Sequence, residues 1–278
     1  MSDKVKISFE VYPPRRPEAK GELSEAIFRL SDLGADFISV TFGAGGSETK
    51  NSLEVLQLIH DQTPATALAH LTCVGTTREQ ASAIVEQFRG HGIQDFLALR
   101  GDLPQSGQLP EGALERADQL VALIAESREE GRIAVAAFPN GHPESRDSRG
   151  DIDALLAKQQ AGADFAITQL FFYAADYFDF LELARMRGVR IPIIPGIMPI
   201  ISSKRLSRVL QLTGEQNPVE LAAGLDTVDL TTAREIGIDF AATLARDLID
   251  GGAQALHLYA FNEHRNVTEV LRRASIVN

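Results

Sequence analysis

The first candidate for chemistry is Glu10, which lies in the stretch ISFEVYPPRR near the start of the chain. Its neighbours Ile7, Phe9 and Val11 predict a buried β-strand, where an ionised carboxylate is costly to hold. One interpretation is that the carboxyl occupies a buried pocket. The alternative is a solvated residue, because every other side chain of a strand can face water. Apolar neighbours on both sides favour a pocket.

Other polar residues stand at or near the ends of apolar runs. Arg100 and Asp102 flank a glycine and could form a structural ion pair. His70 lies on an apolar strand, where the ordinary interpretation is a hydrogen-bonded core histidine. Gln169 lies within a run of Ile, Leu and Phe; a buried amide needs partners, and in a cavity those can be ligand atoms. The glycine-rich stretch Gly43–Gly46 could be a turn that binds nothing.

The bulk composition excludes several classes of function. Asp plus Glu number 38 against 27 Lys plus Arg, and the formal charge of -11 argues against a nucleic-acid binder. Cys73 is the one cysteine, so no intrachain disulfide is possible, and we interpret it as a small buried hydrophobe. His, Cys and carboxylates do not fall at metal-ligand spacings, so we expect no metal. Without a signal-peptide core or a membrane-length apolar run, we expect a cytoplasmic protein.

These polar residues are positioned by short apolar, β-branched runs that alternate with helical patterns. Near-continuous apolar runs are typical of parallel strands that are buried on both faces. Eight strand-then-helix units predict an α/β fold, a (β/α)₈ TIM barrel, as a single catalytic domain over residues 1–278. The predicted strands are Val5–Tyr12, Phe37–Phe42, Ala67–Val74, Phe96–Arg100, Ala134–Phe138, Phe165–Phe172, Ile191–Met198 and Ala255–Phe261.

The helical patterns complete the barrel. A doubly wound fold is the alternative, but no GxGxxG follows the first strand, where a dinucleotide fold would need it. In a barrel the chemistry sits at the C-terminal ends of the strands, where the polar residues lie here. The predicted helices are Glu22–Leu33, Lys50–Asp61, Arg78–His91, Leu114–Glu130, Asp151–Ala161, Asp176–Arg187, Ser203–Leu212 and Thr231–Asp250, followed by one from about Val267.

Eight motifs, in order along the chain, resemble those of the methylenetetrahydrofolate reductase family. They are SFEVYPPR, SVTFGAGGS, AHLTCVG, ALRGDLP, AAFPNGHPES, DFAITQLFF, IIPGIMPI and HLYAFNEHR. The chain resembles the short bacterial form, a catalytic barrel without a regulatory domain. The resemblance implies a flavoprotein that reduces 5,10-methylenetetrahydrofolate to 5-methyltetrahydrofolate, with FAD as cofactor and NAD(P)H as hydride donor. It also implies a role in one-carbon metabolism and methionine biosynthesis, and a homo-oligomer.

The resemblance assigns three catalytic roles. Glu10 matches the family's acidic residue, a general acid that opens the methylene bridge to an iminium cation, which accepts hydride readily. Asp102 matches a carboxylate that should lie by the flavin and pterin, where it can stabilise that cation. Gln169 matches a glutamine that contacts folate and nicotinamide in turn, which implies ping-pong kinetics.

Binding residues are carried over from the same motifs. Positions that match flavin-lining residues are Thr41, Phe42, His70, Arg100, Gly101, Asp102, Ala117, Phe138, His142, Ser145, Asp151 and Lys158. Positions that match folate-contacting residues are Asp102, Gln169, Arg205 and Tyr259.

Several positions depart from the family pattern. Phe138 replaces a tyrosine, and Ala154 and Ala157 stand where the pattern has an asparagine and a basic residue toward the outer half of FAD. Glu263 stands where the enteric pattern has an arginine, and Arg205 could be the replacement cation for the folate glutamate. Each charged contact to a phosphate is worth ~1.5–3 kcal/mol, so we expect FAD to bind weakly or to be lost.

Three alternatives stay open at this point. The first is the same reaction by direct hydride transfer without bound flavin. The second is a folate-binding or corrinoid-partner barrel that has lost the redox step, against which Glu10, Asp102 and Gln169 are all present. The third is another flavin barrel, such as a proline-dehydrogenase-like enzyme, against which the acid of SFEVYPP argues.

Overall fold

A single sheet of nine parallel strands forms the centre of the molecule. The computed structural model describes residues 5–14, 16–41, 46–102, 109–145 and 148–278. The strands are β1 Lys6–Val11, β2 Ala35–Val40, β3 Thr66–Thr72, β4 Asp95–Leu99, β5 Ile133–Ala137, β6 Phe165–Thr168, β7 Ile193–Ile194, β8 Gly196–Ile197 and β9 Ala255–Tyr259. Their order is β7-β6-β5-β4-β3-β2-β1-β9-β8, with every pairing parallel. The predicted α/β barrel is confirmed.

The barrel closes at a strand that is broken by a proline. The predicted strand Ile191–Met198 is two short strands, of which β7 pairs with β6 and β8 pairs with β9. Pro195 lies between them and has no N–H to donate to a ladder. Its carbonyl instead accepts a hydrogen bond of 2.9 Å from the backbone N–H of His257. The break lets one segment pair with both edges of the sheet.

Helices surround the sheet. They are α1 Lys20–Asp32, α2 Gly46–Gln62, α3 Arg78–Arg89, α4 Ala117–Glu126, α5 Ser148–Gln160, α6 Ala174–Met186, α7 Ser203–Thr213, α8 Val219–Leu225, α9 Leu230–Asp250 and α10 His264–Arg273, with a 3₁₀ turn at Pro17–Ala19. The short α8 was not predicted. Helix α10 begins earlier than predicted because the Glu263 side chain accepts from the N–H groups of Arg265 and Asn266 and caps it. No helix in the described ranges is long and apolar enough to cross a membrane.

Successive side chains of each strand point to opposite faces of the sheet, so the core has two layers. On β1, Phe9 is buried in the layer between sheet and helices, together with Cys73, while Glu10 points into the barrel lumen. The lower lumen, toward the N-terminal ends of the strands, is filled by apolar side chains. These are Phe37, Leu68, Leu97, Ala134, Phe165 and Ile167. The upper lumen, toward the C-terminal ends, holds polar ones.

Candidate active site

Glu10 is the central acidic group of the upper lumen. Its side chain is 21% exposed, and its Oε2 lies 3.6 Å from Nε2 of His70 on β3. Burial raises the pKa of the Glu10 carboxyl from 4.5 to about 8. Among the described residues, Glu10 makes no salt bridge with a lysine or an arginine that would reverse this effect. The carboxyl is therefore protonated near neutral pH and open on one side.

His70 is buried but lacks the hydrogen bond expected of a core histidine. Its side chain is 7% exposed, and Nε2 is sealed from solvent without a hydrogen-bond partner. Burial lowers the pKa of its imidazole to about 3, so the ring is neutral. The structure thus places a neutral imidazole beside the Glu10 carboxyl.

A second histidine lies deeper in the lumen. His257 Nδ1 is 2.9 Å from Oγ of Ser8, which also lies within hydrogen-bond distance, 3.3 Å, of the Leu256 carbonyl. Its ring stacks on Phe37, with centroids 5.7 Å apart. Burial and the neighbouring His70 lower the pKa of His257 to about 3. The lumen below Glu10 is therefore polar but uncharged.

Gln169 follows β6 directly and is held by its neighbours. The hydroxyl of Tyr259 donates to the Thr168 carbonyl at 2.7 Å, and the Gly196 N–H donates to Thr168 Oγ1 at 2.8 Å. The Gln169 side-chain oxygen accepts from the Leu170 N–H at 2.9 Å. Its amide nitrogen donates to no other residue that the structure describes, and it remains available to a ligand.

Tyr259 faces Glu10 from β9. Burial, and then the nearby Glu10, raise the pKa of its phenol well above the ordinary value. Because its hydroxyl proton is engaged by Thr168, the predicted folate contact of Tyr259 has to use its ring or its oxygen lone pairs.

The loops after β4 and β5 form the opposite wall. Arg100 is paired with Glu144 at 2.7 Å rather than with Asp102, so the ion pair considered from the sequence is not formed. Gly101 has φ +85°, and a Cβ there would lie 3.0 Å from Cβ of Thr72. Only glycine suits both the backbone and the space. Asp102 is exposed, and its carboxylate has no partner within the described ranges.

The segment after β5 gathers four of the predicted residues. Asp151 accepts from the Ser145 hydroxyl and from the His142 N–H at 3.1 Å. The His142 ring meets Phe138 edge to face, with centroids 4.8 Å apart. These contacts shape the loop that leads into α5.

Lys158 turns inward from α5. Its ammonium donates to the Ala136 carbonyl at 2.9 Å and lies 6.0 Å from the Phe138 ring centroid. Burial lowers its pKa to about 8. On the same helix Ala154 is exposed and Ala157 is half-buried.

The remaining predicted residues lie around the rim. Thr41 donates its backbone N–H to the Val11 carbonyl, and Ala117 is buried at the start of α4. Arg205 stacks on Phe261 at 5.4 Å. Glu263 caps α10 instead of facing a ligand. Phe42 lies outside the described residues.

Sequence reasoning missed several members of this site. Ser8 lies two residues before Glu10 and shares its face, a signal that strand periodicity contained. Ser39, paired with Glu10 in the register of β1 and β2, has a buried hydroxyl without a partner in the described ranges. Glu144, the partner of Arg100, follows no local pattern.

The polar and charged residues of the site fit the ring system of a flavin better than its phosphates. Gln169 and Asp102 offer polar atoms without partners among the described residues, as a flat polar ring system requires. In contrast, the cations Arg100 and Lys158 are already bonded to the protein. The residues therefore fit the ring of a flavin, while its phosphates would have to compete for both cations.

Sequence comparison agrees with the resemblance that the eight motifs carry. A profile of the family described as "Methylenetetrahydrofolate reductase" matches residues 1–275. The chain is 35% identical over 265 residues to 5,10-methylenetetrahydrofolate reductase of Pectobacterium carotovorum subsp. carotovorum, covering 94% of this chain and 87% of that one. It is 34% identical over 260 residues to the Escherichia coli protein of the same name, covering 93% and 86%.

Structural comparison supports the fold. A Clostridium thermocellum protein, described as uncharacterized and as binding two copies of 5-methyl-5,6,7,8-tetrahydrofolic acid, superposes with a TM-score of 0.68. The match covers 98% of this chain and 94% of that one at 16% identity, so it bears on the architecture alone.

Proposed function

The chain belongs to the methylenetetrahydrofolate reductase family, and from this premise we propose that it reduces 5,10-methylenetetrahydrofolate to 5-methyltetrahydrofolate with hydride from NADH or NADPH. The observation that carries the proposal is the Glu10 carboxyl, which burial keeps protonated near neutral pH. The methylene bridge joins two nitrogens and is a poor hydride acceptor. Protonation of one nitrogen by Glu10 opens the bridge to an iminium cation, and general acid catalysis contributes ~10²–10⁴-fold.

Two further groups act on the same substrate in this proposal. The exposed carboxylate of Asp102 can hydrogen-bond the pterin and stabilise the cation. The free amide nitrogen of Gln169 can donate first to the nicotinamide and then to the folate, because its oxygen is already occupied by Leu170. One place used by both ligands in turn gives ping-pong kinetics. We propose that the methyl product feeds methionine biosynthesis, as the family resemblance implies.

We propose FAD as the cofactor, which when bound would carry the hydride from nicotinamide to folate. The residues would hold its ring beside Gly101, with His142, Asp151 and Lys158 near the outer part. The test is the absorption spectrum of the fresh protein before and after NADH, followed by a turnover assay with 5,10-methylenetetrahydrofolate. Yellow protein that NADH bleaches and folate reoxidises supports the proposal. Absence of folate turnover with either nicotinamide, with and without added FAD, would contradict it.

The second candidate is the same reaction with weakly bound or no flavin. It is favoured because Ala154 and Ala157 cannot neutralise phosphate, and Arg100 and Lys158 have protein partners. We predict that Ala154→Asn with Ala157→Arg tightens FAD ~10-fold or more, since one charged contact is worth ~1.5–3 kcal/mol. Flavin titration by fluorescence quenching measures this. The control is Ala175→Arg, at an exposed position on α6. If the parent protein is purified yellow with stoichiometric FAD, and the double substitution leaves its affinity for FAD unchanged, other residues hold FAD.

A further inference from the structure

One buried polar atom in the upper lumen, Nε2 of His70, has surroundings that the proposed function does not explain. It is sealed from solvent and has no hydrogen-bond partner among the described residues, which is a rare condition for a buried polar atom. Oε2 of Glu10, an acceptor, lies 3.6 Å from it. Since solvent cannot reach this nitrogen, a bound ligand would have to contact other atoms of the ring. Any role in flavin lining therefore leaves Nε2 unexplained.

We propose that His70 is a positioning residue for Glu10: its Nε2–H donates to one carboxyl oxygen and holds the other oxygen, with the acid proton, toward the open side of the site. The inference rests on the proposed function, because it assigns this proton to the folate. The 3.6 Å separation is longer than a hydrogen bond, but catalytic hydrogen bonds without substrate are often long and tighten in the complex.

Only one tautomer of His70 suits both states of the acid. Before transfer, Nε2–H can donate to the carbonyl oxygen of the neutral carboxyl. After transfer, the same N–H donates to the carboxylate that has formed. With the proton on Nδ1 instead, the Nε2 lone pair would draw the acid proton away from the substrate and then face a carboxylate without a donor.

The surroundings leave His70 alone in this role. Among the described residues, the ionisable groups that face the pair are Tyr259 and His257, both on β9, and β2 contributes the hydroxyl of Ser39. The Tyr259 proton is donated to Thr168, and His257 is bonded to Ser8. Within the described ranges, no lysine or arginine forms an ion pair with Glu10.

The first test uses the full-length protein with ¹⁵N-labelled histidine and needs no turnover. We expect the His70 resonances, assigned by their loss in His70→Gln, to show a proton on Nε2. We also expect them to shift with a single titration that disappears in Glu10→Gln. A proton on Nδ1, or resonances indifferent to Glu10, would overturn the proposal.

The second test compares His70→Leu with His70→Gln, whose amide can donate near the position of Nε2. Loss of a donor that favours the carboxylate raises the pKa of Glu10. In His70→Leu the alkaline limb of the pH profile of folate reduction should therefore move up by about one unit, with a rate ~10-fold lower. In His70→Gln the alkaline limb should stay within a few tenths of a pH unit of its position in the parent. A purely structural role would lower both rates and leave the limb in place.

The two tests separate the possible failures. An active parent whose limb moves in neither variant contradicts the positioning role and leaves the proposed function intact. A parent that is inert toward folate contradicts the proposed function, and the histidine spectra still decide whether the pair exists. If His70→Leu does not fold, the histidine spectra and the pH profile of His70→Gln decide. The amide of His70→Gln can still donate to Glu10, so an alkaline limb displaced in this variant would count against the proposal.

Discussion

The charged residues at the lower end of the barrel and the Glu10 carboxyl at the upper end have opposite surroundings. At the lower end, Arg132 just before β5 donates to Asp95 at 2.7 Å and to Asp36 at 2.9 Å. Its guanidinium also lies over the rings of Phe37 and Phe165, which fill the lower lumen. At the upper end, Glu10 has no cationic partner in the described part of the chain, and Nε2 of His70, 3.6 Å from its Oε2, forms no hydrogen bond with the described residues.

The contrast separates stability from chemistry. The lower charges are compensated by one another, so they can hold strands together but have little left for a ligand. At the upper end, Glu10 is desolvated without a compensating cation among the described residues, which moves its pKa to about 8. The amide nitrogen of Gln169 likewise has no acceptor within the described ranges. Chemistry at the C-terminal ends and stability at the N-terminal ends is the usual division of a TIM barrel.

The largest effect should come from changing an upper carboxyl. We predict that Glu10→Gln lowers folate reduction by ~10²–10⁴-fold, because the proton that opens the methylene bridge is lost. Asp95→Asn makes the same chemical change at the lower end and should leave turnover per folded molecule near that of the parent. Steady-state assays of both variants test the contrast. Folate turnover of Glu10→Gln within a few-fold of the parent would show that another group is the acid.

The same substitution should change stability in a pH-dependent way. The folded-state pKa of Glu10, about 8, lies above its ordinary 4.5, so the native state holds the proton more tightly. The stabilisation from this group is fully present below pH 4.5 and is lost as the pH rises toward 8. Relative to the parent, Glu10→Gln should therefore gain about 2–4 kcal/mol of unfolding free energy between pH 5 and 9. Urea denaturation at several pH values measures the difference.

The control for this pH series is the exposed Glu182→Gln on α6. We expect its unfolding free energy to run parallel to that of the parent at every pH. If Glu10→Gln also runs parallel, Glu10 is not desolvated in solution and the basis for its acid role is lost.

At the lower end, Arg132→Leu should cost stability and spare activity. It leaves Asp95, whose side chain is 6% exposed, without its charged partner. The expected loss is about 2 kcal/mol of unfolding free energy, since a hydrogen bond to a charged group is worth ~1.5–3 kcal/mol. The matched control is Arg187→Leu, which removes an exposed ion pair with Asp153 and should cost under about 1 kcal/mol. Equal losses of unfolding free energy in the two variants would mean that the contacts of Arg132 with Asp95 and Asp36 stabilise the fold no more than an exposed ion pair does.

The sequence predicted the barrel correctly, from short apolar runs that alternate with helical patterns. Polar residues at the strand ends indicated a site there, and their roles in it stay predictions. It did not predict that Ser8 would meet His257, because contacts between residues so distant along the chain depend on barrel closure. The break at Pro195 was hidden in a continuous apolar run, although a proline within a strand argues against an unbroken ladder. The pairing of Arg100 with Glu144 depends on loop conformation and has no periodic signal.

The smallest predicted effect compares two glutamines. Gln159, at the end of α5, donates to the Gly188 carbonyl and accepts from the Ile191 N–H, so both ends of its amide are used. The amide nitrogen of Gln169, at the upper end, has no acceptor among the residues that the structure describes. We therefore expect Gln169→Ala to slow both the reduction of flavin by NAD(P)H and its reoxidation by folate by ~3–10-fold, the value of one hydrogen bond, with little change in stability. Gln159→Ala should lower stability by about 1 kcal/mol and leave both half-reactions at parent rates. Rapid mixing of each half-reaction separates the cases; slowing of the folate step alone in Gln169→Ala would mean that the two ligands do not share this amide.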